Sequence, residues 1–215
     1  MKLKNYLKKI SDGEIPSSPP EGFVPGGWNY DFDINKECDI IKNSMGRHEC
    51  TKQGLWTIID KKWTKILANL IGNRDCLEIM AGSGHLAKAL SEHNVSIVAT
   101  DDFSWKTTHP NLQLVYSIKK MEAFRAVKFY KNKSILIVSW PPYNCNEICD
   151  ACVEWGPAKP IIFIGEAEAG CCASDKFWKH FEYKDVDCEM ASWTGIHDKV
   201  MIGNYIVKDK EINND

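Results

Sequence analysis

The sequence predicts an α/β fold: a doubly wound, mostly parallel seven-stranded sheet with an antiparallel C-terminal strand, preceded by an N-terminal helical extension. Three observations predict it. From Gly54 onward, short apolar runs alternate with stretches of helical period. The runs are almost continuously apolar, as strands are when helices cover both faces of a sheet. At the end of the chain VDCEMA and KVMIGNYIVKD are both strand-like, with no helix between them. Such a pair joins the edge of a sheet antiparallel.

The elements follow in order. Residues 1–53 are an arm and extension. Within them SDGEIPSSPPEGFVPGGWNYDFD is rich in Pro, Gly and Ser. It predicts an irregular arm, with disorder expected in its first half and Phe23, Trp28, Tyr30 and Phe32 as anchors onto a neighbouring surface. Residues 54–215 form the main domain. It opens with a helix on GLWTIIDKKWTKILANLIG, whose Leu55, Ile58, Ile59, Trp63, Ile66, Leu67, Leu70 and Ile71 keep the helical period. Gly72 sits where a C-terminal cap belongs. Strands are expected at CLEIM, VSIVAT, LQLVYSI, SILIVSW and PIIFIG. Helices are expected at GHLAKALSEH, KKMEAFRAVKFYKN, NEICDACVEW and SDKFWKHFEY.

Composition excludes several classes. The chain has 215 residues, 44% hydrophobic and 26% charged, and a formal net charge of -2. That gives no general attraction to nucleic acid or anionic membrane. Lys119, Lys120, Arg125, Lys128, Lys131 and Lys133 lie close together and read as a solvated helix face. No apolar run approaches the roughly 20 residues that span a bilayer. MKLKNYLKKI lacks the apolar core of a secretory signal. The nine cysteines are odd in number and irregular in spacing, which argues against a disulfide framework and for a reducing, cytoplasmic compartment.

The sharpest motif is LEIMAGSGHLAKAL. A strand ends at Glu78-Ile79-Met80, the turn Ala81-Gly82-Ser83-Gly84 follows, and a helix opens near His85. The glycines let the backbone turn tightly and let a ligand come close. The next strand ends in an acid, Asp101, with Asp102 beside it. A carboxylate there can accept both hydroxyls of a ribose.

This arrangement resembles the class I S-adenosylmethionine-dependent methyltransferases, whose first motif has the form E/D-x-x-x-G-x-G. EIMAGSG fits it with Glu78, Gly82 and Gly84, and Ala87 stands where a nicotinamide-binding domain has its third glycine. The resemblance covers roughly residues 54–208. It implies a Rossmann-like methyltransferase fold, S-adenosylmethionine as cofactor and a methyl acceptor whose nature is open. It also implies that Glu78 lies near the amino-acid part of the cofactor and that Asp101, or Asp102, binds the ribose. Ala81, Ser83 and Ser139 join the cofactor set, and Met121 and Glu122 are the candidates for touching the adenine.

After the fourth strand comes WPPYN. Amino-methyltransferases carry D/N/S-P-P-Y/F/W at this point, and Pro141, Pro142 and Tyr143 fit. The position before the prolines is Trp140, with Ser139 displaced by one residue. An indole donates a hydrogen bond and accepts none, so Trp140 cannot hold an attacking N–H as the usual residue does. Trp140, Pro141, Pro142 and Tyr143 are expected to wall the acceptor pocket. Glu166, at the carboxyl edge of the fifth strand, is a candidate base or acceptor-binding acid.

Cys145, Cys149 and Cys152 have the C-x3-C-x2-C spacing of iron–sulfur radical enzymes. The same residues fall on one face of the predicted helix NEICDACVEW. We therefore expect packing on the sheet and no metal. Cys171-Cys172 has no partner spacing that suggests zinc.

Overall fold

The computed structural model describes residues 1–23, 44–168 and 170–207, and the helical backbone of 37–43. Trp28, Tyr30 and Phe32 lie outside the described residues.

The elements are α1 (Leu3–Ser11), α2 (Glu37–Lys52), α3 (Lys61–Ile71), β1 (Cys76–Ile79), α4 (His85–Ser91), β2 (Ile97–Asp101), a 3-10 turn (Ser104–Thr107), β3 (Ile118–Lys120), α5 (Ala123–Phe129), β4 (Ile135–Ser139), α6 (Glu147–Trp155), β5 (Ile161–Glu166), α7 (Asp175–His180), β6 (Phe181–Val186) and β7 (Asp198–Tyr205). The seven strands lie in the order β3-β2-β1-β4-β5-β7-β6. β1 to β5 are mutually parallel where they pair. β7 runs antiparallel to both β5 and β6. The order reverses between β1 and β4, so the carboxyl edge there is the crevice where open α/β sheets bind ligands.

The continuous apolar runs have the cause the sequence suggests. Successive side chains of a strand point to opposite faces. Ile135, Ile137, Ile162 and Ile164 enter one core with Trp63, Leu67 and Leu90. Leu136, Val138, Ile161 and Phe163 enter the other, with Ile148, Cys152 and Phe177. Cys145, Cys149 and Cys152 are buried on this second side. Burial pushes the Cys145 thiol up to about 11 and raises Cys152 as well, which keeps both protonated. Among the described residues no cluster of His, Cys, Asp or Glu could hold a metal ion. Cys152→Ser should therefore cost about 1–3 kcal/mol of stability by burying a hydroxyl among apolar atoms, without weakening a ligand bound at the opposite sheet edge. Denaturant unfolding with a parallel ligand titration checks this.

Four expectations need correction. The helix predicted from Gly54 starts only at Lys61. Asp60 caps it, accepting from the Lys62 and Trp63 N–H groups at 2.7 and 3.3 Å. Leu55, Ile58 and Ile59 are buried in irregular chain before that cap. The run LQLVYSI contributes only Ile118 to β3, because Val115 N–H bonds Ser83 C=O at 3.0 Å, on the glycine turn, instead of joining the sheet. The helix predicted over SDKFWKHFEY stops at His180. Phe181 to Val186 pair with β7, so the edge strand is this segment and not VDCEMA. The side chains of Phe181 and Tyr183 join rings of Phe163, Phe177, Trp178 and Tyr205, and that packing overrides local preference.

The fourth correction concerns the N-terminus. The first half of the arm is placed against the domain, with Ile15 and Pro16 buried. Lys61 N–H bonds Pro16 C=O at 2.8 Å, and Lys88 Nζ bonds Gly13 C=O at 2.5 Å. α1 buries Tyr6 and Ile10 in the first core. The Tyr6 hydroxyl accepts from Ile59 N–H at 2.8 Å and donates to Ile59 C=O at 3.1 Å. Phe23 meets Trp193 edge to face at 5.1 Å.

Half of the basic stretch near α5 is ion-paired. Arg125, Lys131 and Lys133 face Glu122, Glu154 and Asp75 at 3.6, 3.1 and 3.7 Å. No helix of the described residues is long and apolar enough to cross a membrane.

Candidate functional site

The first βα turn is built by left-handed backbone. Met80, Gly82 and Gly84 have φ of 55, 57 and 88°. Gly84 is forced by crowding as well as by φ: a Cβ there would lie 2.9 Å from Tyr116 Cβ and Ile118 Cδ1. Gly82 is different. A Cβ on it would meet only Gly54 C=O, at 3.6 Å, so its exposed side is open to an approaching group. Ser83 is buried beneath the turn, with Oγ 2.8 Å from His85 Nδ1 and 3.3 Å from Gly54 C=O. Burial lowers His85 to about 4, so its ring stays neutral.

Asp101 and the glycine turn are brought together. The carboxylate is 5% exposed. Its Oδ2 accepts from Gly82 N–H at 2.8 Å. Its Oδ1 accepts from Phe103 N–H at 2.7 Å and from Trp105 Nε1 at 2.9 Å. Burial raises its proton affinity against the pull of these three donors. A carboxylate offers about four lone-pair sites, so one remains open on Oδ2 and a second opens if the indole withdraws. Trp105 was not singled out in the sequence. Its only signal is a position four residues beyond the acid.

Glu78 lies at the same edge, 1% exposed, and its Oε2 has no hydrogen-bond partner. Burial, and then the nearby negative charge of Asp101, push its carboxyl up to about 8. The folded chain thus holds a proton that an unfolded chain releases near pH 4.5. The sign follows: stability falls as pH rises from about 5 to 8. Glu78→Gln cannot ionise and escapes that loss. Relative to wild type, the variant should gain about 1–3 kcal/mol between pH 5 and pH 8 in denaturant unfolding. A gap that does not widen with pH would contradict a protonated Glu78.

Beside Asp101 a pocket of about 400 Å³ is lined by Asp102, Lys120, Met121, Glu122, Arg125 and Phe129. Met121 N–H bonds Asp101 C=O at 2.9 Å, which fixes the pocket next to the acid. Asp102 Oδ1 accepts from Ser104 N–H at 2.7 Å. Of the residues expected to touch the cofactor, Asp102, Met121 and Glu122 line this pocket. Glu78, Gly82 and Asp101 lie at the adjoining ends of β1 and β2, with Ala81, Ser83 and Gly84 in the same turn. Ser139 ends β4, on the other side of β1.

The WPPYN loop follows Ser139. Trp140 N–H bonds Ile164 C=O at 2.8 Å, and Asn144 N–H bonds Ala173 C=O at 2.7 Å. Trp140 is a bulky residue at φ 48°, a conformation that costs free energy and persists only where the surroundings impose it. Its ring stacks on Trp56 at 6.2 Å and 18°. The Arg47 guanidinium lies 6.0 Å from the centroid of Trp56 and 5.8 Å from that of Trp140. Pro141 is buried, Pro142 is exposed, and Tyr143 is 76% exposed.

Glu166 is tied down by backbone donors. Oε2 accepts from Cys171 N–H at 3.1 Å and Oε1 from His197 N–H at 3.0 Å. Paired with it across the sheet is Asp198, 3% exposed. The donors of Ser192, Thr57 and Trp140 face that carboxylate and favour its charged form, yet none reaches hydrogen-bond geometry. Burial dominates and raises its proton affinity. Arg47, Trp56 and Asp198 come from three separate segments, and no spacing links them to the proline motif in the sequence.

No protein-family model matches the chain, and no curated protein matches it. Solved structures do. TehB from Haemophilus influenzae aligns over 66% of this chain and 61% of its own, at 10% identity and a TM-score of 0.40. The ribosomal protein L11 methylase from Lactobacillus delbrueckii subsp. bulgaricus aligns over 67% and 77%, at 12% identity and 0.40. Human N-acetylserotonin methyltransferase, in complex with SAM, aligns over 96% and 67%, at 11% and 0.45. Independently of these alignments, the strand order β3-β2-β1-β4-β5-β7-β6, with β7 antiparallel, is the sheet expected of a Rossmann-like methyltransferase fold. At these identities and TM-scores no residue role or activity is carried across.

Proposed function

We propose that this chain binds S-adenosylmethionine at the carboxyl edge of β1 and β2 and transfers its methyl group to an acceptor held by the WPPYN loop. One observation carries the reading. A glycine with an open side, Gly82, donates to a buried carboxylate, Asp101, beside a pocket of about 400 Å³. That is the chemistry a nucleoside needs: backbone that can be approached closely, an acceptor for its hydroxyls, and room for its base.

The residues fit the group. Asp101 accepts from the ribose diol, using the open site on Oδ2 and the site that Trp105 can release. Met121, with Asp102 and Glu122, borders the base. Glu78, buried and without a partner on Oε2, would hold the α-ammonium, releasing to solvent the proton that burial keeps there. Ala81, Ser83, Gly84 and Ser139 complete the walls. S-adenosylmethionine, when bound, supplies a methyl on a positively charged sulfur that is already a good leaving group.

The chain's task is then orientation and exclusion of water. Pro141 and Pro142 fix the direction of the loop, because proline restricts its own φ and the residue before it. Trp140 and Tyr143 position a flat or apolar acceptor by their rings. Glu166 holds the backbone at Cys171 and His197 in place through its two carboxylate bonds. The nine irregularly spaced cysteines fit a reducing, cytoplasmic setting.

Incubation with methyl-labelled S-adenosylmethionine and a cell extract tests the activity. Label in a product supports transfer. Binding with no labelled product would favour a silent cofactor-binding protein, and loss of the cofactor without any acceptor would favour its cleavage.

A further inference from the structure

We infer that Arg47, Trp56 and Trp140 form a subsite that selects a planar, anionic acceptor; this rests on the methyl-transfer reading above. The Arg47 Nε is buried and has no hydrogen-bond partner. A desolvated guanidinium nitrogen without an acceptor is costly, and it points to a group that arrives from outside. No ion pair of Arg47 is found among the described residues. In particular, none joins it to Glu166, which is engaged by two backbone N–H groups, or to Asp198, whose carboxylate oxygens have no hydrogen-bond partner of their own.

The guanidinium also sits beside a pair of aromatic rings. It lies 6.0 and 5.8 Å from the centroids of two indoles that are themselves stacked. A guanidinium is a planar fork of N–H groups, two of which a carboxylate can meet at once. Trp56 is 43% exposed, so a flat apolar surface remains open beside the charge. Trp140 is fixed in strained backbone at the proline motif, which sets this platform at the carboxyl edge of β4.

The three features together suit an aromatic ring carrying a carboxylate or similar anion. The ring lies on the indoles, the anion meets Arg47, and the nucleophile is left on the far side of the ring. The N-terminal extension thereby contributes to the choice of acceptor, since Arg47 belongs to α2.

Benzoate is the probe, with benzyl alcohol and benzamidine as neutral and cationic counterparts. Binding is read by calorimetry on the full chain, with S-adenosylhomocysteine titrated separately. Wild type should bind benzoate saturably and in preference to the other two. Arg47→Ala should weaken benzoate at least tenfold, and Arg47→Lys should restore it only in part, because a point charge lacks the planar fork. Affinity for S-adenosylhomocysteine should not change. Benzoate affinity unaltered by Arg47→Ala, preference for benzamidine or benzyl alcohol, or no saturable benzoate binding would each overturn the subsite. Failure of S-adenosylhomocysteine to bind wild type would instead overturn the cofactor reading, whatever benzoate does.

Discussion

Tyr143→Ala is expected to slow methyl transfer about 100-fold while leaving cofactor affinity within a few-fold. The ring is 76% exposed, so its loss removes little packing. Exposed substitutions away from special backbone usually change stability by no more than about 0.5 kcal/mol. The backbone of the loop is held independently: Tyr143 bridges Ala173, and Asn144 N–H bonds Ala173 C=O. An open ring at the end of a loop stiffened by two prolines is placed to contact an acceptor. A misplacement of about 1 Å in that acceptor can account for a loss of this size. Thermal stability, cofactor affinity and labelled-methyl transfer are measured on one preparation. Normal transfer per folded molecule would remove Tyr143 from the acceptor site.

Asp101→Ala is expected to weaken S-adenosylhomocysteine binding by tenfold or more. Hydrogen bonds to a charged group contribute about 1.5–3 kcal/mol each in favourable settings, and a ribose diol can make two. The variant also frees Gly82 N–H, Phe103 N–H and the Trp105 indole from their common acceptor. Two parts of the turn therefore lose their register together, which adds to the effect. Asp102→Ala is the control. It lines the pocket but accepts only from Ser104 N–H, so its loss should cost less. If the two variants exchange behaviour, Asp102 holds the ribose.

The sheet was legible because its central strands are buried on both faces. Such strands must be apolar at every position, and CLEI, IVATD, ILIVS and IIFIGE are nearly so. The misplaced elements were decided by contacts distant in sequence. LQLVYSI has the composition of a strand, but Val115 is claimed by Ser83 across the glycine turn. Phe181 to Tyr183 carry a helical extension of α7 in their pattern and a strand in their pairing with β7. α1 had a readable face in Leu3, Tyr6, Leu7 and Ile10, at helical spacing. A short basic segment at a chain end drew attention to its charge instead.

The candidate site divides along the same line. Glu78, Gly82 and Asp101 lie within one strand–helix–strand unit, where chain order fixes geometry. That is why they could be named from the sequence. Arg47, Trp56 and Asp198 reach the WPPYN loop from α2, from the segment before α3 and from β7. Their proximity is a product of tertiary folding, and no local spacing announces it.

Calorimetric titration of the wild-type chain with S-adenosylhomocysteine, run at pH 7 in buffers of different ionisation enthalpy, tests the central claim most directly. Saturable binding of one molecule per chain is predicted. Its apparent heat should depend on the buffer, because Glu78 is mostly protonated at pH 7 and gives up a proton when an ammonium binds beside it. Binding of a nicotinamide dinucleotide in its place, or no heat from either nucleoside up to millimolar concentration, would contradict the account.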